Sequence, residues 1–167
     1  MIANSGLASM KHYTRFNLGE RILLTLWVGG TWTIGYIAAP VLFNFLDTDR
    51  QLAGAIAGEM LRAMLTIGLI CGVILLISGA LSGLNAALKS WRWWLIVAML
   101  VIILVSLFGV HPMVAELKLQ KDLMDAIEYK SQFGKLHGLS AAIYLLLSIL
   151  GLVLVVFGLR RPSLDRI

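Results

Sequence analysis

The chain has 167 residues, of which 59% are apolar and 14% charged, and its mean hydropathy is +0.88. That balance excludes an ordinary soluble domain, whose core could not hide so much apolar surface. The net charge of +5 does not point to nucleic acid, because the basic residues sit singly or in small groups beside apolar runs, where they anchor a membrane protein.

In chain order, residues 1–20 are too polar to hold the apolar core of a signal peptide, so they read as a retained cytoplasmic segment. Apolar runs follow near 22–43, 63–84, 93–111 and 138–159. Each approaches the ~20 residues that cross a hydrocarbon layer. Met64 to Leu84 and Leu95 to Val110 carry no charge and are apolar on every face, unlike the helices of a soluble bundle. Lipid demands that each segment satisfy its own backbone, which gives an all-α, four-transmembrane-helix bundle over 21–159. Residues 160–167 form a short tail.

Lys11, Arg15, Arg21, Lys89, Arg92, Arg160, Arg161 and Arg166 fall on one side of these runs. Arg50, Arg62, Lys118, Lys121, Lys130 and Lys135 fall on the other, among seven acids. The positive-inside bias places both termini in the cytoplasm, in a bacterial inner membrane. Trp91, Trp93 and Trp94 around Arg92 match an aromatic belt at that interface.

The two outer loops are predicted to be helical and amphipathic. Thr48 to Gln51 reads as a capping box that starts a helix running into the second span. Met113 to Leu136 intersperses Leu117, Leu123, Met124, Ile127 and Phe133 with charges of both signs, the pattern of a helix lying at a membrane surface.

Inside the spans, small and polar residues form stripes. Gly68, Gly72, Gly79 and Gly83 project within about 60° of one another, a face for close helix packing. The first span carries Thr25, Gly29, Thr33, Tyr36, Pro40 and Asn44 in a row, and the last carries His137, Ser140, Tyr144, Ser148 and Gly151. These rows are expected to face the bundle interior as packing and hydrogen-bonding partners, with a polar path as the alternative.

Sulfur and imidazole offer a second kind of site. Met60 and Met64 share a stripe with Cys71, a lone cysteine with no disulfide partner, while Met113 and His111 stand near the outer end of the third span and His137 near that of the fourth. Thioether and imidazole together suit a soft metal such as Cu(I). Methionine is equally an ordinary core filler. His111 and His137 are also candidate axial ligands of a haem b. Glu59 and Arg62 form a candidate proton-responsive cluster with those histidines. No phosphate-binding glycine loop, nucleophile elbow or zinc-protease motif is present, and nothing argues for an enzyme.

Leu26-Trp27-Val28-Gly29-Gly30, Ala39-Pro40-Val41-Leu42-Phe43, Ala53-Gly54-Ala55-Ile56-Ala57-Gly58, His111-Pro112 and Phe133-Gly134-Lys135-Leu136-His137-Gly138-Leu139-Ser140 together resemble the transmembrane protein 205-like family. The resemblance covers about residues 20–158. It implies a four-span membrane protein of a family grouped by a domain of unknown function, with animal relatives associated with tolerance to platinum drugs. It supplies no catalytic residue. The expected role is therefore non-enzymatic: handling a soft metal or small solute at the outer face. The alternatives are an accessory subunit, as a homo-oligomer or bound to other membrane proteins, and a haem-binding redox protein.

Overall fold

The computed structural model describes residues 3–158 except 121, 122 and 124, with side chains from Leu18 onward. The side chains of Lys11 and Arg15, and all of Lys121, Asp122, Met124 and the 160–167 tail, lie outside the described residues. Among the described residues every regular element is helical. Helix α1 covers Ala3–Trp32 and passes through a π-helical segment, Thr33–Ala38, into α2, Ala39–Phe45. Helix α3 covers Arg50–Leu81, and a short α4, Leu84–Leu88, leads to α5, Trp91–Val105. A second π segment, Ser106–Val110, joins α5 to α6, His111–Leu119, and α7 covers Ala126–Gly158.

Four stretches are long and apolar enough to cross a membrane: Leu18–Phe45, Arg50–Leu81, Trp91–Leu119 and Ala126–Gly158, hereafter spans 1 to 4. They alternate in direction. The end that carries Leu18, the 82–90 link and Gly158 is called the terminal end, and the opposite end, with its links after Phe45 and Leu119, the distal end. The predicted first outer stretch is helical and continuous with span 2 from Arg50, whereas the helix predicted over 113–136 is divided: its start belongs to α6, which ends at Leu119, its end belongs to α7 from Ala126, and Gln120, Leu123 and Asp125 lie outside any helix. An α7 of 33 residues is about 50 Å long, against a hydrocarbon layer of roughly 30 Å. The excess falls at the distal end, where α3 keeps its charges up to Arg62 and α7 keeps its own up to Lys135.

The start of α3 differs from the predicted capping box. Asp49, one residue later than Thr48, is the N-cap, and its carboxylate accepts a 2.9 Å bond from the Leu52 amide. A carboxylate also complements the positive end of the helix dipole, which favours it over the hydroxyl before it.

Each of α1 and α5 packs against both α3 and α7, so α1 stands diagonally across from α5 and α3 across from α7. Trp27 of α1 is 1% exposed and belongs to one core cluster with Leu24, Met64, Leu65, Cys71, Leu75, Met99, Leu100, Ile103 and Leu154. Gly68 and Gly72 make this possible. A Cβ at Gly68 would stand 2.5 Å from Trp27 Nε1, and one at Gly72 would stand 2.6 Å from Leu100 Cδ2 and 3.1 Å from Trp27. Part of the glycine stripe is therefore consumed inside the bundle. Gly79 makes only ordinary contact with Trp93, and Gly83 lies beyond the end of α3. There its φ of +139° serves the turn into α4, a backbone shape that side chains disfavour.

Candidate functional site

Three polar arrangements occupy this apolar bundle. The first joins spans 1 and 4. Tyr144 donates a 2.7 Å bond to the Thr31 carbonyl of α1, and Trp32 donates a 3.4 Å bond back to the Ser148 carbonyl of α7. Gly35, in the first π segment, leaves the space into which the Tyr144 ring fits. Tyr36 stands between, its ring centroid 5.1 Å from that of Trp32 and 6.5 Å from that of Tyr144.

The predicted row of span 1 does not face the bundle interior: Thr25, Gly29, Thr33, Tyr36, Pro40 and Asn44 are all exposed, because Leu24, Trp27, Val28 and Thr31 form the buried face of that helix, whereas on span 4 Ser148 and Gly151 are buried, Ser140 and Tyr144 half-buried and His137 exposed. Of the predicted rows, Thr33 donates to Gly29 O, Ser140 to Leu136 O and Ser148 to Tyr144 O, and Thr31, outside those rows, donates to Trp27 O, each across one helical turn. A hydroxyl bonded in this way asks nothing of a neighbouring helix and offers a solute little. The cross-helix bonds in this arrangement come from Tyr144 and Trp32. Tyr144→Phe is expected to lower stability by about 1 kcal/mol, the usual worth of such a bond, measurable as a shift in the unfolding midpoint in detergent.

The second arrangement lies at the terminal end. Glu20 of α1 accepts a short ion-paired hydrogen bond from Arg92 Nη2 of α5, linking the diagonal helices. The side chains are 27% and 12% exposed, so both charges are largely withdrawn from water. Arg92 Nε and Trp93 Nε1 are buried without a hydrogen-bond partner among the described residues. Sequence reasoning took Arg92 only as a topological anchor. The available signal was a lone acid at the start of span 1 and a lone arginine at the start of span 3, which topology brings to the same end.

The third arrangement is at the distal end and contains His111, Glu59 and Arg62 of the predicted site residues. His111 opens α6 immediately after the second π segment and is half-buried, within electrostatic reach of Arg62, Glu59 and Lys118. Glu59 and Arg62 are exposed and approach each other at 3.9 Å. A contact that long between exposed groups contributes little to stability. It does hold two opposite charges beside the imidazole.

The predicted sulfur ligands are dispersed. Met64 is 4% exposed and belongs to the core, with its Sδ lying where a Cβ at Gly30 would go. Met60, one turn earlier, is half-buried on the stripe of buried Ala53, Ala57 and Met64. Met113 is 54% exposed on α6. His137 is exposed on α7, its ring stacked on Phe133 with centroids 6.1 Å apart, and Phe133 in turn stacks on Tyr129. Among the described residues no three His, Cys, Asp or Glu side chains gather as a metal site. Cys71 is buried in the core.

The π segments escaped the sequence reading. In both, the residue before a proline sends its amide back five residues: Ala39 to Ile34 O before Pro40, and His111 to Ser106 O before Pro112. A proline inside a helix removes a donor and crowds the carbonyl four residues back. Widening the preceding turn relieves that crowding and lets the helix continue. The third apolar run ends near 111 in the sequence, whereas the helix continues through Pro112 to Leu119.

A family model described as a domain of unknown function, DUF4149, matches residues 22–122. No curated protein and no solved structure matches the chain.

Proposed function

We propose, for a chain that belongs to the DUF4149 family, a non-enzymatic role as a multi-pass membrane protein that binds a small solute at its distal end. The observation that carries this reading is the half-buried His111 at the end of a π segment, framed by charges on α3 and α6. An ionisable side chain within a spanning helix marks a functional site by default, because keeping it there costs stability. Here the imidazole nitrogens are the donors a solute would meet.

The solute class proposed is a soft metal ion, with Cu(I) as the representative. Its ligands would be His111 together with the thioether of Met60, a residue on the interior stripe of the neighbouring span. Met64 is committed to packing against Gly30, and Met113 and His137 would act at most in delivery from the surface. Haem b is the weaker ligand, since His137 is already stacked against Phe133 on its own helix. The resemblance to the transmembrane protein 205-like family belongs to the same reading, as does a cytoplasmic terminal end in a bacterial inner membrane with Lys89, Arg92 and the tryptophans at the interface.

Protein purified gently from its native membrane is expected to carry copper, measured as metal per chain by plasma mass spectrometry, and His111→Ala is expected to lose it. Copper at equal level in wild type and His111→Ala would reject the assignment of His111. Iron with a Soret band in place of copper would reject the metal class.

A further inference from the structure

We infer that spans 1 and 3 form a matched, jointed pair, clamped together at the terminal end by Glu20 and Arg92 and able to swing at the distal end on their π–proline joints. Two independent observations fall on the same diagonal pair. The first is the ion pair itself, which joins α1 to α5 although each packs chiefly against α3 and α7. The second is the repeated discontinuity, Thr33–Ala38 before Pro40 in span 1 and Ser106–Val110 before Pro112 in span 3, with the same five-residue hydrogen bond closing each.

Spans 2 and 4 contain nothing comparable. Helices α3 and α7 run unbroken for 32 and 33 residues and contain no proline. Bends in long helices concentrate at prolines and π-bulges, because there the ladder already lacks a bond and turning the axis breaks no further one. The jointed spans thus move against an unjointed frame. The two joints are seated differently: Tyr144 fills the space over Gly35 in the first, whereas Gly109 in the second has nothing within 4 Å and Phe108 beside it is exposed.

The clamp is what makes the motion one-ended. A charge pair withdrawn from water resists separation, because parting it leaves each charge uncompensated in a poor solvent. Spans 1 and 3 are therefore held at the terminal end while their distal segments, α2 and α6, change separation. His111 contributes the backbone amide that closes the second joint, so the same movement repositions its ring. The device does not depend on which solute binds there.

Distance measurements between spin labels on a Cys71→Ala background in lipid nanodiscs test this. One pair is placed at the distal ends of spans 1 and 3 (Val41→Cys with Met113→Cys) and one at the terminal ends (Ile22→Cys with Trp91→Cys), all on exposed positions. The distal distribution is expected to be roughly two-fold broader than the terminal one, and to narrow in Pro40→Ala with Pro112→Ala, which restore the missing donors. Glu20→Gln is expected to broaden the terminal distribution, and the exchanged pair Glu20→Arg with Arg92→Glu to restore it. If Glu20→Gln does not fold, the exchanged pair alone decides the clamp, since restored width is expected only from an ion pair. Equal widths at both ends of the wild type, or a distal width unmoved by the proline substitutions, would overturn the joints. A terminal width indifferent to Glu20→Gln, or an exchanged pair as broad as the single variant, would overturn the clamp.

Discussion

Gly68→Ala is expected to destabilise the bundle by about 1–3 kcal/mol, the cost of overfilling a packed core, and Gly68→Leu to prevent recovery of a monodisperse protein. The added Cβ would fall 2.5 Å from Trp27 Nε1 and 2.9 Å from its Cδ1. Trp27 is 1% exposed and is a rigid ring with core side chains around it, so it cannot step aside. Gly29→Ala is the control: nothing lies within 4 Å of its added methyl, and the better helix propensity of alanine makes the change neutral or stabilising by up to roughly 1 kcal/mol. Unfolding midpoints in mixed micelles check the contrast. A Gly68→Ala as mild as Gly29→Ala would show that the core is looser than described.

The second large effect is expected at the terminal end. Arg92→Met alone should cost about 1–3 kcal/mol, because it leaves the Glu20 carboxylate without its partner at a site only 27% exposed to water. The double replacement Glu20→Met with Arg92→Met should recover most of that loss, since a well-packed apolar pair is often as stable as a buried ion pair. The geometry explains the asymmetry: Arg92 is 12% exposed and its Nε has no partner among the described residues, so the pair holds the helices in place at a solvation cost. Equal stability of single and double variants would place both side chains in water and remove the basis for a clamp.

The membrane-spanning architecture was legible because charge-free apolar runs admit one solution in lipid. Met64 to Leu84 could be nothing but a buried or membrane helix, and the structure places it within α3 and the link that follows. The glycine stripe was legible as a packing face, but its partner was not. That Trp27 occupies Gly68 and Gly72 depends on which helix becomes the neighbour, and periodicity carries no such information. The continuation of the third helix past Pro112 was hidden for a different reason. Proline speaks against an ordinary helix, and a wider turn ahead of it satisfies the chain equally well.

For the candidate site, residue types were visible and their surroundings were not. Glu59 and Arg62 stood out by their position at the mouth of the second span; the structure holds them 3.9 Å apart, and their nearness to His111 follows from the packing of α3 against the third span. Met60, Met64, Met113 and His137 looked alike as potential donors. Burial separates them: Met64 is enclosed against Gly30, Met60 half-buried, and Met113 and His137 exposed. The Glu20–Arg92 pair was invisible because its members stand far apart in sequence and each has an ordinary explanation alone.

The most direct test of a distal solute site is an anaerobic titration in which the nanodisc-embedded protein competes with a chromophoric chelator for Cu(I). The wild type is predicted to withdraw about one equivalent per chain through imidazole and thioether. His111→Gln and Met60→Leu are each predicted to withdraw none, while Met113→Leu retains binding. A wild-type protein that leaves the chelator complex intact, or one that binds equally after both His111→Gln and Met60→Leu, would contradict the account.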